Sequence, residues 1–150
     1  MKKHLMIIGS DNSGKSSVAN WLNETSRPLK KTQDAIYGKY TIDVPAAYLE
    51  NDWMYRYLFS ISQTAGRLLC MADGKRVTNL YPPHFVKAFN CPAIGLIKLP
   101  ETEAEKQIAI DYLKVAGVDE WYVFDLEDEK LGTMKKQWIA ELGGKDEVYH

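Results

Sequence analysis

Four short runs along the chain are apolar at almost every position: Leu5-Met6-Ile7-Ile8, Leu68-Leu69-Cys70-Met71-Ala72, Pro92-Ala93-Ile94-Gly95-Leu96-Ile97 and Trp121-Tyr122-Val123-Phe124. Each has the length of a strand and no polar face. A parallel sheet covered by helices on both sides requires strands of that kind. Helical patterns lie between them. One starts directly after Gly14 and carries Val18, Ala19, Trp21 and Leu22, and a second falls within Ala46 to Gln63. A third opens on Thr102 and Glu105, a capping box in which the hydroxyl and the carboxylate each satisfy an orphan backbone N–H. There Ile108, Tyr112 and Val115 share a face and Gly117 suits the C-terminal cap. The last helix spaces Met134, Trp138 and Leu142 four apart and stops at Gly143-Gly144. Ile36 to Asp43 predicts a hairpin turning near Gly38 at a sheet edge, and Asn79 to Pro83 predicts a loop. Alternating strands and helices predict an α/β fold, with a mostly parallel central sheet flanked by helices on both faces.

Length and charge narrow the classes. The 150 residues fit one domain, 1–150, without a linker, repeat or low-complexity tract. A hydrophobic fraction of 45% supports a full core, and a formal net charge of -1 gives no electrostatic case for nucleic acid or an anionic membrane. The pairs Lys2-Lys3, Lys30-Lys31 and Lys135-Lys136 read as solvated surface charge. Cys70 and Cys91 both fall in apolar runs that read as strands, which makes them buried reduced thiols rather than a zinc site or disulfide framework. The apolar run ending at Gly9 is too short for a signal-peptide core, and no stretch is long enough to span a bilayer, so a cytoplasmic setting is expected.

The chemistry is carried by Gly-x-x-x-x-Gly-Lys-Ser, met by Gly9, Gly14, Lys15 and Ser16 immediately after the first apolar run. This is the P-loop pattern. The first glycine permits a tight turn off the strand. The second lets backbone approach a phosphate, and the loop N–H groups of Asp11, Asn12, Ser13, Gly14, Lys15, Ser16 and Ser17 surround an anion at the helix start. Lys15 is the expected catalytic and phosphate-contacting cation, and Ser16 an expected Mg²⁺ ligand. Asp43, ending Tyr40-Thr41-Ile42-Asp43, either holds Mg²⁺ as a Walker-B acid does or caps a turn at the strand end; beside a P-loop the metal role is favoured. Asp11 either uses a turn conformation that Asp tolerates or sits near the γ-phosphate or a phosphoryl acceptor. Tyr48, Trp53, Tyr55, Tyr57 and Phe59 read as core packing of one helix with a few rings at its edge, and His84 as an exposed loop histidine.

Beyond the P-loop, Lys30-Lys31-Thr32-Gln33, Ile42-Asp43-Val44-Pro45, Tyr48-Leu49-Glu50-Asn51, Pro82-Pro83-His84-Phe85 and Asn90-Cys91-Pro92-Ala93-Ile94-Gly95 occur in the order and spacing of a known family. From residue 3 to about 116 the chain resembles the ethanolamine- and propanediol-utilisation P-loop proteins, the EutP/PduV family. The resemblance implies a Ras-like P-loop NTPase fold, a link to bacterial microcompartment metabolism, and Thr32 as the switch threonine that approaches Mg²⁺ and the γ-phosphate. Two patterns depart from it. Where such proteins carry Asp-x-Pro-Gly and then Glu, this chain has Asp43-Val44-Pro45-Ala46-Ala47. The guanine-reading pattern Asn/Thr-Lys-x-Asp becomes Ile97-Lys98-Leu99-Pro100, leaving Lys98 to stack on a base but no Asp to pair with guanine.

Three functions are compatible with these residues. The first is an accessory protein of microcompartment metabolism that binds ATP or GTP, or a diphosphate, with Mg²⁺ and hydrolyses it slowly or not at all, with microcompartment proteins as possible partners. The second is a small phosphotransferase moving the γ-phosphoryl of ATP to a small acid such as acetate, or to a nucleotide, which Asp11 supports. The third is a structural P-loop protein without turnover.

Overall fold

The computed structural model describes residues 3–26 and 34–142. Its strands are β1 (His4–Ile8), β2 (Ile36–Tyr37), β3 (Thr41–Asp43), β4 (Ala65–Ala72), β5 (Ala93–Lys98) and β6 (Trp121–Phe124). They form one six-stranded sheet in the order β2-β3-β1-β4-β5-β6. β1 lies parallel to both β3 and β4, and β4, β5 and β6 continue the parallel run. Only β2 is antiparallel, closing the expected hairpin with β3 at one edge.

The strands bury both faces, as their unbroken apolar runs require. Leu5 and Ile7 point to one side with Leu69, Met71, Ile94 and Leu96. That side is covered by α1 (Lys15–Asn23) through Val18 and Leu22, and by α5 (Glu129–Ala140) through Leu131 and Trp138. Met6 and Ile8 point to the other, with Leu68, Cys70 and Ile97. There α4 (Glu103–Val115) contributes Ala109 and Leu113. Leu49 and Leu58 reach the same core from α2 (Ala47–Glu50) and α3 (Tyr55–Ile61). Full burial of each Leu or Ile side chain contributes about 1.5–3 kcal/mol.

Four expectations change in detail. The segment from Ala46 to Gln63 is not one helix: α2 and α3 are separated by an extended Asn51 and a 3₁₀ turn at Asp52–Met54, with a second 3₁₀ turn at Ser62–Thr64. Asn51 closes α2 with its own side chain, donating Nδ2 to the Ala47 carbonyl at 3.0 Å. In α4 the buried stripe is Ala109 and Leu113, while Ile108 and Val115 are largely exposed. Two glycines on other elements meet this helix: a Cβ on Gly95 would lie 2.5 Å from Leu113 Cδ1, and one on Gly74 would lie 1.9 Å from the Glu105 carbonyl oxygen. Cys70 is a buried strand residue, but Cys91 precedes β5 and is only half-buried. The Thr102 cap forms, accepting from the Glu105 N–H at 3.1 Å, but the Glu105 carboxylate accepts from the Glu101 N–H, one residue before the cap.

Gly117 takes a left-handed φ of 92° just past α4, as a C-terminal cap requires. Between β4 and β5 the chain runs as a loop with one short 3₁₀ helix at Phe85–Ala88, and the loop at 79–83 lies within it. Tyr48, Tyr55 and Phe59 pack against the core, whereas Trp53 and Tyr57 are exposed. α5 ends at Ala140, and Gly143-Gly144 lie outside the described residues.

Candidate functional site

At the carboxyl end of β1 the chain turns through Gly9 into α1. The turn needs its glycines. Gly9 has φ 154° and its absent Cβ would stand 2.7 Å from both Met71 Cβ and Ser13 Oγ. Gly14 has φ 97° and serves as the N-cap of α1, offering no side chain to the orphan N–H groups there. Asn12 adds a third left-handed residue, at φ 65°. Left-handed residues at Asn12 and Gly14 give the loop tight turns of the kind on which an anion nest is built, and one loop N–H, that of Ser13, is donated to the Ser10 carbonyl at 3.2 Å.

The loop is fixed from within. Ser13 is fully buried and donates its hydroxyl to the Ser10 carbonyl at 2.6 Å. Lys15 folds back across the loop, donating Nζ to the carbonyls of Gly9 at 3.2 Å and Ser10 at 3.0 Å. Ser16 Oγ donates to Asp43 Oδ2 at 3.4 Å, bringing the end of β3 to the first turn of α1. Lys98, at the end of β5, donates Nζ to the Asn12 carbonyl at 2.6 Å. Ser17 is exposed on the first turn. The expected residues Gly9, Asp11, Asn12, Ser13, Gly14, Lys15, Ser16, Ser17, Asp43 and Lys98 therefore converge on one end of the sheet. Thr32 lies outside the described residues.

Charge at this spot is costly to bury. Desolvation lowers the Lys15 pKa below its ordinary value, against the opposing pull of Asp43, Asp11 and Glu50. Desolvation likewise raises the Asp43 carboxyl, against the Lys15 charge and the Ser16 hydrogen bond. Burial works against both charges, and Asp43 and Lys15 are the largest charge compensation each receives. A ligand bringing phosphate and a divalent cation would relieve both. Ser16 and Asp43 offer two hard oxygen donors side by side, which suits Mg²⁺ with its remaining positions filled by phosphate and water oxygens. When bound, such an ion neutralises charge on the β- and γ-phosphates.

Three further residues bear on the site without having been found by motif. Asp73 follows β4 and holds its Oδ2 3.9 Å from Lys98 Nζ. Glu50 sits one turn past Ala47 in α2, close enough for its charge to act on Lys15. Tyr81 is buried and bonds backbone beneath the loop. None belongs to a fixed-spacing pattern, although Glu50 falls within Tyr48-Leu49-Glu50-Asn51.

A glycine-rich loop leaving the first strand of a mostly parallel sheet and opening a helix at its N-terminus defines the α/β P-loop fold. The crystal structure of a probable GTP-binding protein engB superposes with a TM-score of 0.57 at 16% identity, covering 92% of this chain and 99% of that one. That likeness speaks for the fold alone. A curated relative, the propanediol utilization protein PduV of Citrobacter freundii, is 27% identical over 138 residues, covering 81% of this chain and 92% of the relative. The model of the PduV-EutP family, ethanolamine utilisation - propanediol utilisation, matches residues 1–140, and the chain belongs to that family. Among the described residues no helix is long and apolar enough to cross a membrane.

Proposed function

We propose that this protein binds a nucleoside triphosphate or diphosphate with Mg²⁺ through its P-loop and hydrolyses the triphosphate slowly, as an accessory to propanediol or ethanolamine utilisation. One observation carries the reading: Lys15 lies across the loop carbonyls while Ser16 and Asp43 meet beside it. In this reading backbone N–H groups of the loop and of the first turn of α1 hold the phosphate oxygens, Lys15 contacts the β- and γ-phosphates, and Ser16 and Asp43 hold the metal. Family membership and the name of the Citrobacter relative support the metabolic setting.

Slow turnover follows from what the second loop lacks. Ala46 keeps a backbone N–H but not the conformational freedom of the glycine it replaces, and Ala47 stands where a carboxylate would orient water at the γ-phosphate, so that carboxylate is missing. Pro100 at the guanine-reading position removes base readout. Calorimetric titration of ADP, ATP, GDP and GTP, with and without Mg²⁺, tests the reading. Micromolar or tighter, Mg²⁺-enhanced triphosphate binding is expected, with Lys15→Ala weakening it by about 1.5–3 kcal/mol. Unchanged affinity in that variant would remove the P-loop from the function.

A further inference from the structure

We propose that Tyr81 is a positioning residue for the P-loop, holding in place the Met71 floor on which the two loop glycines rest. The inference builds on the phosphate-binding reading above and assigns a role to the loop between β4 and β5, which that reading leaves unused.

Met71 lies under both glycines. The Cβ that Gly9 lacks would approach Met71 Cβ to 2.7 Å and the Met71 carbonyl oxygen to 3.4 Å. A Cβ on Gly14 would lie 3.5 Å from Met71 Cε. Gly9 thus packs against the side chain and backbone of one β4 residue with no room for a Cβ between them, Gly14 faces the same side chain, and a displacement of Met71 would be passed to the loop. The register of β1 on β4 runs only as far as Ile8 opposite Cys70, so Met71 lies one residue past the point where the two strands hold each other.

Tyr81 spans that point. Its hydroxyl donates to the Met71 carbonyl at 2.6 Å and lies 3.4 Å from the carbonyl of Ile8, the residue before Gly9. The residue is 4% exposed, and its ring packs against Phe85 with centroids 6.0 Å apart. Its backbone is set in turn: Asn79 Oδ1 accepts from the Tyr81 N–H at 3.0 Å, and Asn79 Nδ2 donates to the Tyr112 carbonyl at 3.1 Å. Side chains that bind nothing themselves but lock those that do are what gives a site its sub-ångström geometry. Phosphate binding by backbone N–H groups is especially sensitive to it, since those donors cannot change rotamer to follow a shift.

A control comes from another element. Ser62 also donates its hydroxyl to a backbone carbonyl, that of Phe59, at 2.7 Å, at the end of α3 and outside the Tyr81 network. Tyr81→Phe and Ser62→Ala each delete one such bond. Affinity for Mg²⁺ with tripolyphosphate and with ATP is measured by calorimetry well below the melting temperature of each variant. Tyr81→Phe should weaken both ligands about tenfold, the lower end of what loss of a supporting contact behind a binding site costs. Ser62→Ala should leave both affinities unchanged even where it lowers the melting temperature. Unchanged affinity in Tyr81→Phe, or equal loss in the two variants, overturns the positioning role while leaving the P-loop reading intact. Failure of the unmodified protein to bind either ligand overturns both.

Discussion

Lys98 Nζ donates to the Asn12 carbonyl at 2.6 Å, so the lysine at the base-reading position is bonded to the phosphate-binding loop itself. Asn12 is one of the left-handed residues that shape the loop. Asp73 steadies the far side of the ammonium at 3.9 Å and is itself held as the acceptor of the Lys75 N–H at 3.0 Å. The ends of β4 and β5 are in this way tied to the loop that leaves β1.

The first prediction follows from that bond. Lys98→Met should weaken ATP, GTP and tripolyphosphate by similar factors, on the order of tenfold, because the lost contact shapes the loop and not the base pocket. The ratio of GTP to ATP affinity should stay below a hundredfold in both proteins, since Pro100 offers no partner to guanine. Loss confined to nucleotides, with tripolyphosphate unaffected, would assign Lys98 to the base instead. Parallel titrations of the three ligands give the answer.

A second prediction concerns pH. Burial raises the Asp43 pKa above its ordinary value of 3.8, and metal binding needs the carboxylate. Mg²⁺-dependent binding should therefore decline as pH falls through a midpoint set by that carboxyl, with a proton released on binding near it. Asp43→Asn should bind Mg²⁺-nucleotide more weakly and lose this component of the pH dependence. In the ligand-free protein the sign reverses: the protonated acid is the better buried form, so the contribution of Asp43 to stability is present at low pH and is lost as pH rises through the raised pKa. Calorimetry in buffers of different ionisation enthalpy counts the proton; a pH profile identical in the two proteins would contradict the assignment.

Much of this site is local in sequence, and that part was legible. The P-loop spans eight consecutive residues, and Asp43 ends a recognisable strand, so motif and pattern suffice to bring Ser16 and Asp43 to one site, where they lie 3.4 Å apart. The four apolar runs became β1, β4, β5 and β6 for the same reason. What escaped was decided by contacts between distant segments. The buried face of α4 depends on contacts with distant elements, such as that of Leu113 against Gly95 on β5. Tyr81 and Asp73 come from a stretch without helical or strand period, and their partners, Met71 and Lys98, are assigned only by the fold. The break at Asn51 was hidden because apolar spacing continues across it from Leu49 to Leu58.

A pair of glycines supplies the third prediction. Gly74→Ala would put a Cβ 1.9 Å from the Glu105 carbonyl oxygen and 2.9 Å from its Cα, so α4 must move. A loss of about 2–3 kcal/mol is expected, a drop of roughly 5–10 °C in melting temperature. Gly132, inside α5, has nothing within 4 Å of its missing Cβ. There alanine restores helix propensity and should stabilise by about 0.5–1 kcal/mol. Thermal melts of the two single variants should therefore move in opposite directions.

The last prediction addresses turnover. Hydrolysis of a triphosphate needs an in-line water, a metal-bound phosphate and donors for charge on the equatorial oxygens. Ser16 and Asp43 stand together as the metal half requires, 3.4 Å apart. The water-orienting half is incomplete, because Val44-Pro45 leads into Ala46 and Ala47 at the start of α2. Ala46 adopts right-handed helical angles, φ -58° and ψ -30°, and its Cβ restricts the turning of its N–H relative to a glycine. Ala46→Gly combined with Ala47→Glu should raise single-turnover hydrolysis, on the order of tenfold or more, with affinity changed much less. Asp43→Asn is the opposite control, weakening Mg²⁺-dependent binding. Glu50 is the alternative source of a carboxylate, since it lies one turn further along α2 and its charge reaches Lys15. If the unmodified protein turns over at several per second and Glu50→Gln abolishes that rate, the water is already oriented and the two alanines are not the defect. If turnover is slow and the double variant accelerates it, the missing glycine and carboxylate are what limit the reaction.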